Sequence, residues 1–214
     1  MLVRELWRYP VKSFRGERLD EVALDARGVV GDRAYAVRDG NGKLGSGKTT
    51  RRFRLFKGLF DYEATTRDGD VWVGDLRVGD PALEALLSER YGDALAVLPE
   101  ETVPHFDAGA VHLLTTTSLA WVGEDVRRFR PNIVLEAEQR EEDWLGRTLR
   151  IGECELLVRD RVERCAMVDF AQSELPYDAD VLRFLARENE AMFGVYADVV
   201  TPGTIRVGDD ASYV

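Results

Sequence analysis

The sequence predicts a mainly β fold with flanking helices, of the α+β class, and two observations support this. Turn dipeptides such as Arg27-Gly28, Asp39-Gly40 and Asn41-Gly42 recur at short spacing in the first part of the chain, as is typical of short, closely spaced strands. Only Pro81–Gly92 and Asp178–Phe193 combine a longer apolar repeat at helical spacing with helix-end signals. Strands are therefore expected to outnumber helices.

The later elements follow the same pattern. Thr115–Ser118 is a helix-start signal, and two strands are expected at Thr148–Ile151 and Cys154–Val158. The polar stretch Pro99–Pro104 is the best candidate for a linker. We therefore expect a β-rich N-terminal domain over residues 1–100 and a second domain over residues 101–214, either separate or packed as one compact unit.

Composition restricts the class of protein and its partners. The chain has 214 residues, of which 45% are hydrophobic and 32% charged, so it can form a normal buried core. Its net charge of −10 argues against binding to nucleic acid or to an anionic membrane through its overall field. Two cysteines provide no disulfide framework. The start lacks the apolar stretch of a signal peptide, and we expect a soluble cytoplasmic protein.

The positive charge is concentrated in one window. Between Lys43 and Lys57 the sequence has six cations and no acid. This window is either a solvated basic loop or a local anion site that would suit a phosphorylated small molecule.

One segment in that window resembles a phosphate loop. Gly42–Thr49 fits the pattern G-x-x-x-x-G-K-[ST]. The preceding Asp39–Gly42 is a hairpin-turn signal, and the cationic residues that follow are unfavourable at the start of a helix. We therefore interpret the segment as part of a hairpin rather than as a nucleotide-binding loop.

The two cysteines differ in their surroundings. Arg161 and Arg164 flank Cys165 and favour its thiolate, the form that acts as nucleophile and soft-metal ligand, although Glu163 opposes this. Cys154 lies in a strand pattern that is typical of a small buried hydrophobic residue. Local chemistry alone leaves Cys165 as either a functional thiol or a packed one.

Several motifs then occur in the order found in one known family. Tyr9-Pro-Val-Lys-Ser13, Gly28-Val-Val-Gly-Asp-Arg33, Phe129-Arg-Pro-Asn-Ile-Val134 and Arg164-Cys165 resemble motifs of MOSC proteins. His112–Ser118 and the tail from Phe193 to Asp209 are also similar. The family is named for the C-terminal domain of molybdenum cofactor sulfurase, and the resemblance covers nearly the whole chain.

The resemblance implies a barrel-like β core and a site for the molybdenum cofactor, a pterin that holds molybdenum. Its metal ligand and reactive thiol would be Cys165. The residues expected to bind the pterin and its phosphate are Lys12, Ser13, Arg33, Thr117, Ser118, Arg130 and Asn132. The family also has an arginine in the basic stretch, for which Arg51 and Arg52 are the candidates; Arg52 is taken as the site residue.

Three functions remain open at this stage. The leading hypothesis is a molybdenum-dependent oxidoreductase that reduces N-oxygenated small molecules and receives electrons from a separate donor protein. The alternative is a sulfur carrier or cofactor-transfer module in which Cys165 holds a persulfide. The third is a small-molecule binding protein without catalysis.

Overall fold

Strands dominate the computed structural model, which describes residues 1–214. The strands are β1 (Leu2–Arg8), β2 (Glu17–Leu19), β3 (Glu21–Asp25), β4 (Gly28–Val29), β5 (Tyr35–Asp39), β6 (Leu44–Ser46), β7 (Phe53–Leu55), β8 (Ala64–Arg67), β9 (Asp70–Val73), β10 (Leu76–Arg77), β11 (Leu95–Pro99), β12 (Val111–Thr115), β13 (Ile133–Glu136), β14 (Thr148–Ile151), β15 (Cys154–Glu163), β16 (Met192–Thr201), β17 (Gly203–Arg206) and β18 (Ala211–Tyr213). The helices are α1 (Pro81–Tyr91), α2 (Thr116–Val122) and α3 (Asp180–Asn189). The predicted mainly β fold with flanking helices is confirmed, although the sheets do not close into a barrel.

One eight-stranded sheet organises the molecule, in the order β18-β14-β15-β16-β12-β13-β1-β2. Neighbouring strands in it are antiparallel except for β12 and β13, which are parallel. Strands β1 and β2 from the start of the chain thus share a sheet with strands from its second half. Three smaller sheets, β11-β5-β6-β7, β10-β9-β8 and β17-β3-β4, complete the fold.

Local sequence signals account for the ends of two helices. Asp80 caps α1 by accepting a hydrogen bond from the backbone N–H of Ala82 at 2.8 Å, and Pro81 occupies the first helical position. Thr115 caps α2 by accepting from the N–H of Ser118 at 3.1 Å. Both helices end at a glycine in the left-handed conformation, Gly92 and Gly123.

The third helix is shorter than its apolar pattern predicts. The pattern covers residues 178–193, whereas α3 spans Asp180–Asn189. Glu190 and Ala191 adopt left-handed φ angles of 55° and 60°, which end the helix, and the next residues begin β16. Phe193 still packs in the same buried cluster as Leu185, so the apolar repeat correctly located the buried face but not the helix end.

The segment that resembles a phosphate loop contains strand β6. The turn after Asp39 connects β5 to β6 as an antiparallel hairpin, and β7 then pairs with β6 in parallel. No helix follows Lys48 until α1 begins at Pro81, apart from one short 3₁₀ turn. The hairpin interpretation is therefore correct, because a nucleotide-binding loop requires a helix N-terminus directly after the glycine-rich turn.

Two main apolar clusters stabilise the fold. The larger has 19 buried residues on the eight-stranded sheet, including Leu113, Ile133 and Leu149. The second has 12 buried residues and joins α1 to the smaller sheets through Leu83 and Leu87. None of the helices is long and apolar enough to span a bilayer.

We expect Leu113→Ala to destabilise the protein strongly. Leu113 is fully buried on β12 in the large sheet, and truncating such a residue typically costs about 2–5 kcal/mol of unfolding free energy. Leu98→Ala is the matched control, because Leu98 is 37% exposed on β11 and its truncation should change stability by less than about 1 kcal/mol. Urea denaturation measures both values, and equal losses would contradict this placement of the core.

Candidate functional site

A cavity lies where the loops after β1 and β15 meet the loop before β13. The space that water-sized molecules can occupy in it is about 90 Å³, and the wider opening, including solvent at its mouth, is about 700 Å³. Strands β12 and β16 contribute the paired residues His112 and Tyr196 to its wall. Six of the nine predicted site residues line it: Lys12, Ser13, Arg33, Arg130, Asn132 and Cys165.

Lys12 is a buried cation at this cavity, with only 4% of its surface exposed. Its backbone N–H donates to the carbonyl of Tyr35 at 2.8 Å, which fixes the loop after β1 against β5. Its Nζ lies 2.6 Å from Oδ1 of Asp107 and 4.7 Å from the centre of the Phe53 ring. Burial lowers the pKa of Lys12 to about 8, although the Asp107 carboxylate acts in the opposite direction.

Arg33 and Arg130 approach the same cavity from different loops. The guanidinium of Arg33 pairs with the buried carboxylate of Asp32. Arg130 donates from Nη1 to the Phe14 carbonyl at 2.7 Å, whereas its buried Nη2 has no partner. Burial, and secondly the nearby charge of Arg33, lower the pKa of Arg130 to about 10. It remains charged at neutral pH, with an unused donor and no paired carboxylate.

The backbone is unusual at three residues of the cavity. Ser13, Arg33 and Arg130 have φ angles of 65°, 50° and 57°. Residues other than glycine seldom adopt this left-handed region, because Cβ approaches the following carbonyl. Such conformations persist where the surrounding structure holds them and are frequent at functional sites. This signal is invisible in the sequence.

Cys165 lies two residues after the end of β15 and directly precedes a 3₁₀ turn at Ala166–Asp169. It is half-buried and lines the cavity with its neighbour Arg164. Arg164 donates from Nη2 to the Phe129 carbonyl at 2.8 Å, and its Nε is buried without a partner. Burial lowers the pKa of Arg164. Arg161 instead binds the side chain of Asn189 at 2.6 Å, outside the cavity.

Cys154, unlike Cys165, lies away from the cavity. It is fully buried in the large apolar cluster at the start of β15. Burial, and secondly the charges of Glu153 and Asp209, raise the pKa of its thiol to about 11. It is thus the small buried residue that its strand pattern predicts.

His112 adds an acceptor to a set of donors. Its Nδ1 lies 3.3 Å from the Arg130 carbonyl; because a carbonyl only accepts, Nδ1 carries the proton. Burial, and secondly the charge of Arg164, lower the pKa of His112 well below its ordinary value, so the ring is neutral. Its Nε2 is a buried acceptor without a partner. Gly194 makes room for it, because a Cβ there would lie 2.2 Å from Nε2.

Two other lining side chains are largely committed to the protein itself. The amide of Asn132 donates to the Trp7 carbonyl at 3.3 Å and accepts from the N–H of His112 at 3.1 Å. The Ser13 hydroxyl donates to the Gly45 carbonyl at 3.3 Å. Both therefore position the loops of the cavity, and each retains only part of its hydrogen-bonding capacity for a ligand.

Three predicted site residues do not line this cavity. Thr117 donates to the Ala137 carbonyl at 2.6 Å, and Ser118 donates to the buried carboxylate of Glu141 at 2.7 Å. Arg52 binds the carbonyls of Pro104 and Phe106, so it reaches the loop that forms one wall. Arg51 is exposed. The remaining cations of the basic window are dispersed, and among them only Lys48 approaches Asp107, at 3.8 Å.

Sequence reasoning missed Asp107 and Tyr196. Asp107 is part of a polar loop after β11, where one acid among several gives no distinguishing signal. Burial acts to raise the pKa of Asp107, but the adjacent Lys12 outweighs it, and the net shift is downward. Tyr196 belongs to the family-like tail, but its place opposite His112 depends on strand pairing across the sheet.

These groups together define the chemistry that the cavity can perform. Buried guanidinium and ammonium groups favour an anionic ligand, and the unpaired donors of Arg130 and Arg164 require an acceptor. The unpaired acceptor of His112 requires a donor. One thiol is available as a soft ligand or nucleophile.

Two family models match the chain. One, described as "MOSC domain", matches residues 94–212, and the other, described as "MOSC N-terminal beta barrel domain", matches residues 1–68. Among curated proteins, none matches this chain.

Solved structures show a similar fold. The crystal structure of the YUAD protein from Bacillus subtilis is 12% identical, covers 98% of this chain and 93% of its own, and superposes with a TM-score of 0.56. YiiM from Escherichia coli is 12% identical with a TM-score of 0.46, covering 100% of this chain and 70% of its own. At this identity the likeness to the YUAD protein supports the fold alone.

We expect Lys12→Met to stabilise the protein at neutral pH. The folded-state pKa of Lys12, about 8, lies below the ordinary 10.5. The unfolded chain therefore holds more protons between these values, and wild-type stability rises with pH there. The advantage of the variant at pH 7 should shrink by up to about 3 kcal/mol by pH 10.5. Denaturation curves at both pH values test this.

The matched control is Lys57→Met, because Lys57 is exposed. Its stability difference from wild type should stay near zero at both pH values. A Lys12→Met variant that is less stable than wild type at pH 7 would contradict the inferred cost of the buried ammonium.

Proposed function

This chain belongs to the MOSC domain family, and from that premise we propose that its cavity binds the molybdenum cofactor for the reduction of N-oxygenated small molecules. One observation supports the proposal most. The cavity combines unpaired buried donors on Arg130 and Arg164, an unpaired buried acceptor on His112, and the thiol of Cys165. A phosphorylated heterocycle that carries a metal able to take a thiolate ligand complements each of these groups.

The cations provide the first part of the fit. Lys12, Arg33 and Arg130 line one cavity in a protein of net charge −10. Charged donors bind phosphate strongly, particularly where water is excluded. Neither Arg130 nor Arg164 forms a salt bridge with a carboxylate of the chain, so both are available to a phosphate.

His112 provides the second part of the fit. Its neutral ring offers Nε2 as an acceptor among neighbours that mostly donate. A ligand that carried only oxyanion oxygens would leave this atom unsatisfied, whereas the amino and ring N–H groups of a pterin can donate to it. His112 and the hydrogen-bonding groups that Asn132 retains would thus orient the ring system through neutral hydrogen bonds.

Cys165 provides the third part of the fit. The chain gathers no cluster of three or more histidine, cysteine or acidic side chains, so a metal held by Cys165 must bring its other ligands with it, as a cofactor-bound metal does. Thiolate is a ligand that suits such a metal. When bound, the cofactor supplies a metal that can accept an oxygen atom from the substrate. Cys165 would anchor that metal at the wall of the cavity.

The surroundings of Cys165 bear on the substrate and on the source of electrons. Cys165 is half-buried at the wall of the cavity and the side chain of the neighbouring Glu163 is exposed, so we propose that a small-molecule substrate reaches the thiol from this side. The chain has two cysteines, one of them buried in the core, so we propose that a separate donor protein supplies the electrons.

Protein purified from a molybdenum-replete host should contain about one molybdenum per chain. Lys12→Met should lower that content several-fold, because a phosphate loses its buried ammonium partner, while Lys57→Met should retain it. Elemental analysis with fluorescence of the released pterin measures both components. Persulfide on Cys165 without metal would support a sulfur carrier instead. If neither molybdenum nor persulfide were found, only the binding-protein hypothesis would remain.

Cys165→Ser should abolish reduction of an N-hydroxylated substrate by protein supplied with an artificial electron donor. A hydroxyl is a hard and mostly protonated replacement for a thiolate, and the volume change is small, so the melting temperature should hardly change. Cys154→Ser is the matched control. It places a hydroxyl in the apolar core, which should cost about 1–3 kcal/mol of stability with little specific loss of activity. Full activity in Cys165→Ser would refute the role of the thiol.

A further inference from the structure

A second polar cavity lies beside the first, between the start of β2, strand β8 and the loop at residues 172–173. The space that water-sized molecules can occupy in it is about 570 Å³. Arg130 lines both cavities, whereas Tyr9 lines only the second. Trp7 and Tyr9 form an aromatic wall, with ring planes inclined by 12° and centres 6.5 Å apart.

Hydrogen-bonding groups without partners are concentrated in this cavity. The buried atoms concerned are Nε of Arg15, Oγ1 of Thr65, Nε2 of Gln172 and Nη2 of Arg130, and all four residues line it. Gln172 is 3% exposed and Arg130 is 8% exposed. Buried polar groups are nearly always satisfied in folded proteins, so unsatisfied groups at one cavity require a specific cause.

The carboxylates of the cavity do not satisfy these donors. Glu17 accepts from Nε of Arg8 at 2.8 Å and from the N–H of Thr66 at 3.0 Å. Glu63 lies 3.5 Å from Nη2 of Arg15, which leaves Nε of Arg15 unpaired. The chain thus presents guanidinium and amide N–H groups to the cavity with no acceptor of its own for them.

We propose that this cavity binds a small molecule through an oxyanion group, either a carboxylate or a phosphate. Three of the four unpaired atoms are obligate donors, and the fourth, the hydroxyl of Thr65, can donate as well. A ligand that satisfies them together must therefore be rich in acceptor oxygens. The rings of Trp7 and Tyr9 offer an apolar surface for the rest of the molecule. This site shares Arg130 with the cofactor site proposed above, but its other three unpaired groups line only the second cavity.

The test must separate this cavity from its neighbour, because an oxyanion could bind at either. Arg130 lines both and is left unchanged. Lys12→Met removes the buried ammonium that only the first cavity contains, whereas Gln172→Leu and Thr65→Val remove donors that only the second contains. Two probes, benzoate and inorganic phosphate, distinguish a carboxylate from a phosphate.

Calorimetric titration of each protein with each probe measures affinity, and the side-chain amide resonances of Gln172 report binding directly. We expect at least one probe to bind wild type and Lys12→Met alike and to shift those resonances. Binding should weaken at least about tenfold in Gln172→Leu and in Thr65→Val. The probe that binds identifies the ligand class.

The melting temperature of Thr65→Val provides a second readout, because a hydroxyl with a purely structural role would not give the expected result. Thr65→Val is close to isosteric and removes an unsatisfied buried hydroxyl. If that hydroxyl serves a ligand, the ligand-free variant should melt roughly 2–4 °C higher than wild type while binding the probe more weakly. Failure of both probes to bind Lys12→Met, or unchanged binding in both Gln172→Leu and Thr65→Val, would overturn the proposal.

Discussion

The structure depends on holding several cations together around an open space. Lys12, Arg33 and Arg130 share one cavity, and burial acts against the charge of each. Arg33 has Asp32 as a full partner, Lys12 has the partly exposed Asp107, and Arg130 has only a carbonyl. In the protein alone, the loss of hydration of these cations and the repulsion between them are therefore not fully offset by paired carboxylates. An anion is the one kind of ligand that relieves both, so the cavity is preorganised for it.

The surrounding fold supplies the energy that keeps these groups in place. Strand β1 pairs with β13, so the loop after β1 lies beside the loop before β13. The carbonyl of Asn132 accepts from the N–H of Trp7 at 2.8 Å, and its side-chain amide joins Trp7 to His112. Left-handed backbone at Ser13 and Arg130 persists because these ladders fix both ends of each loop. The large buried sheet thereby supports strained loops at its margin.

The sequence predicted the parts of this arrangement that short motifs determine. Lys12, Arg33 and Arg130 each belong to a compact motif beside a strand end, and the motif places the side chain. Thr117 and Ser118 also lie in such a motif, but their hydroxyls turn inward, Ser118 to the carboxylate of Glu141. A partner 23 residues away along the chain is invisible to local spacing. The early end of α3 also depends on a long-range contact. The last residues of its apolar pattern pair with β15 as part of β16 and so do not continue the helix.

Asp107 is an acid in a cavity that we propose binds an anion, and its contacts explain how the two are compatible. Without a ligand, its carboxylate is the only acid that reaches Lys12, at 2.6 Å. Its side chain is 35% exposed, and Lys48 at 3.8 Å offers a second partner. The loop itself is fastened separately, by Arg27 to Glu100 and by Arg52 to the Phe106 carbonyl. In the cofactor binding proposed above, a phosphate would therefore replace the carboxylate at Lys12 through a side-chain rotation, while the wall of the cavity stays in place.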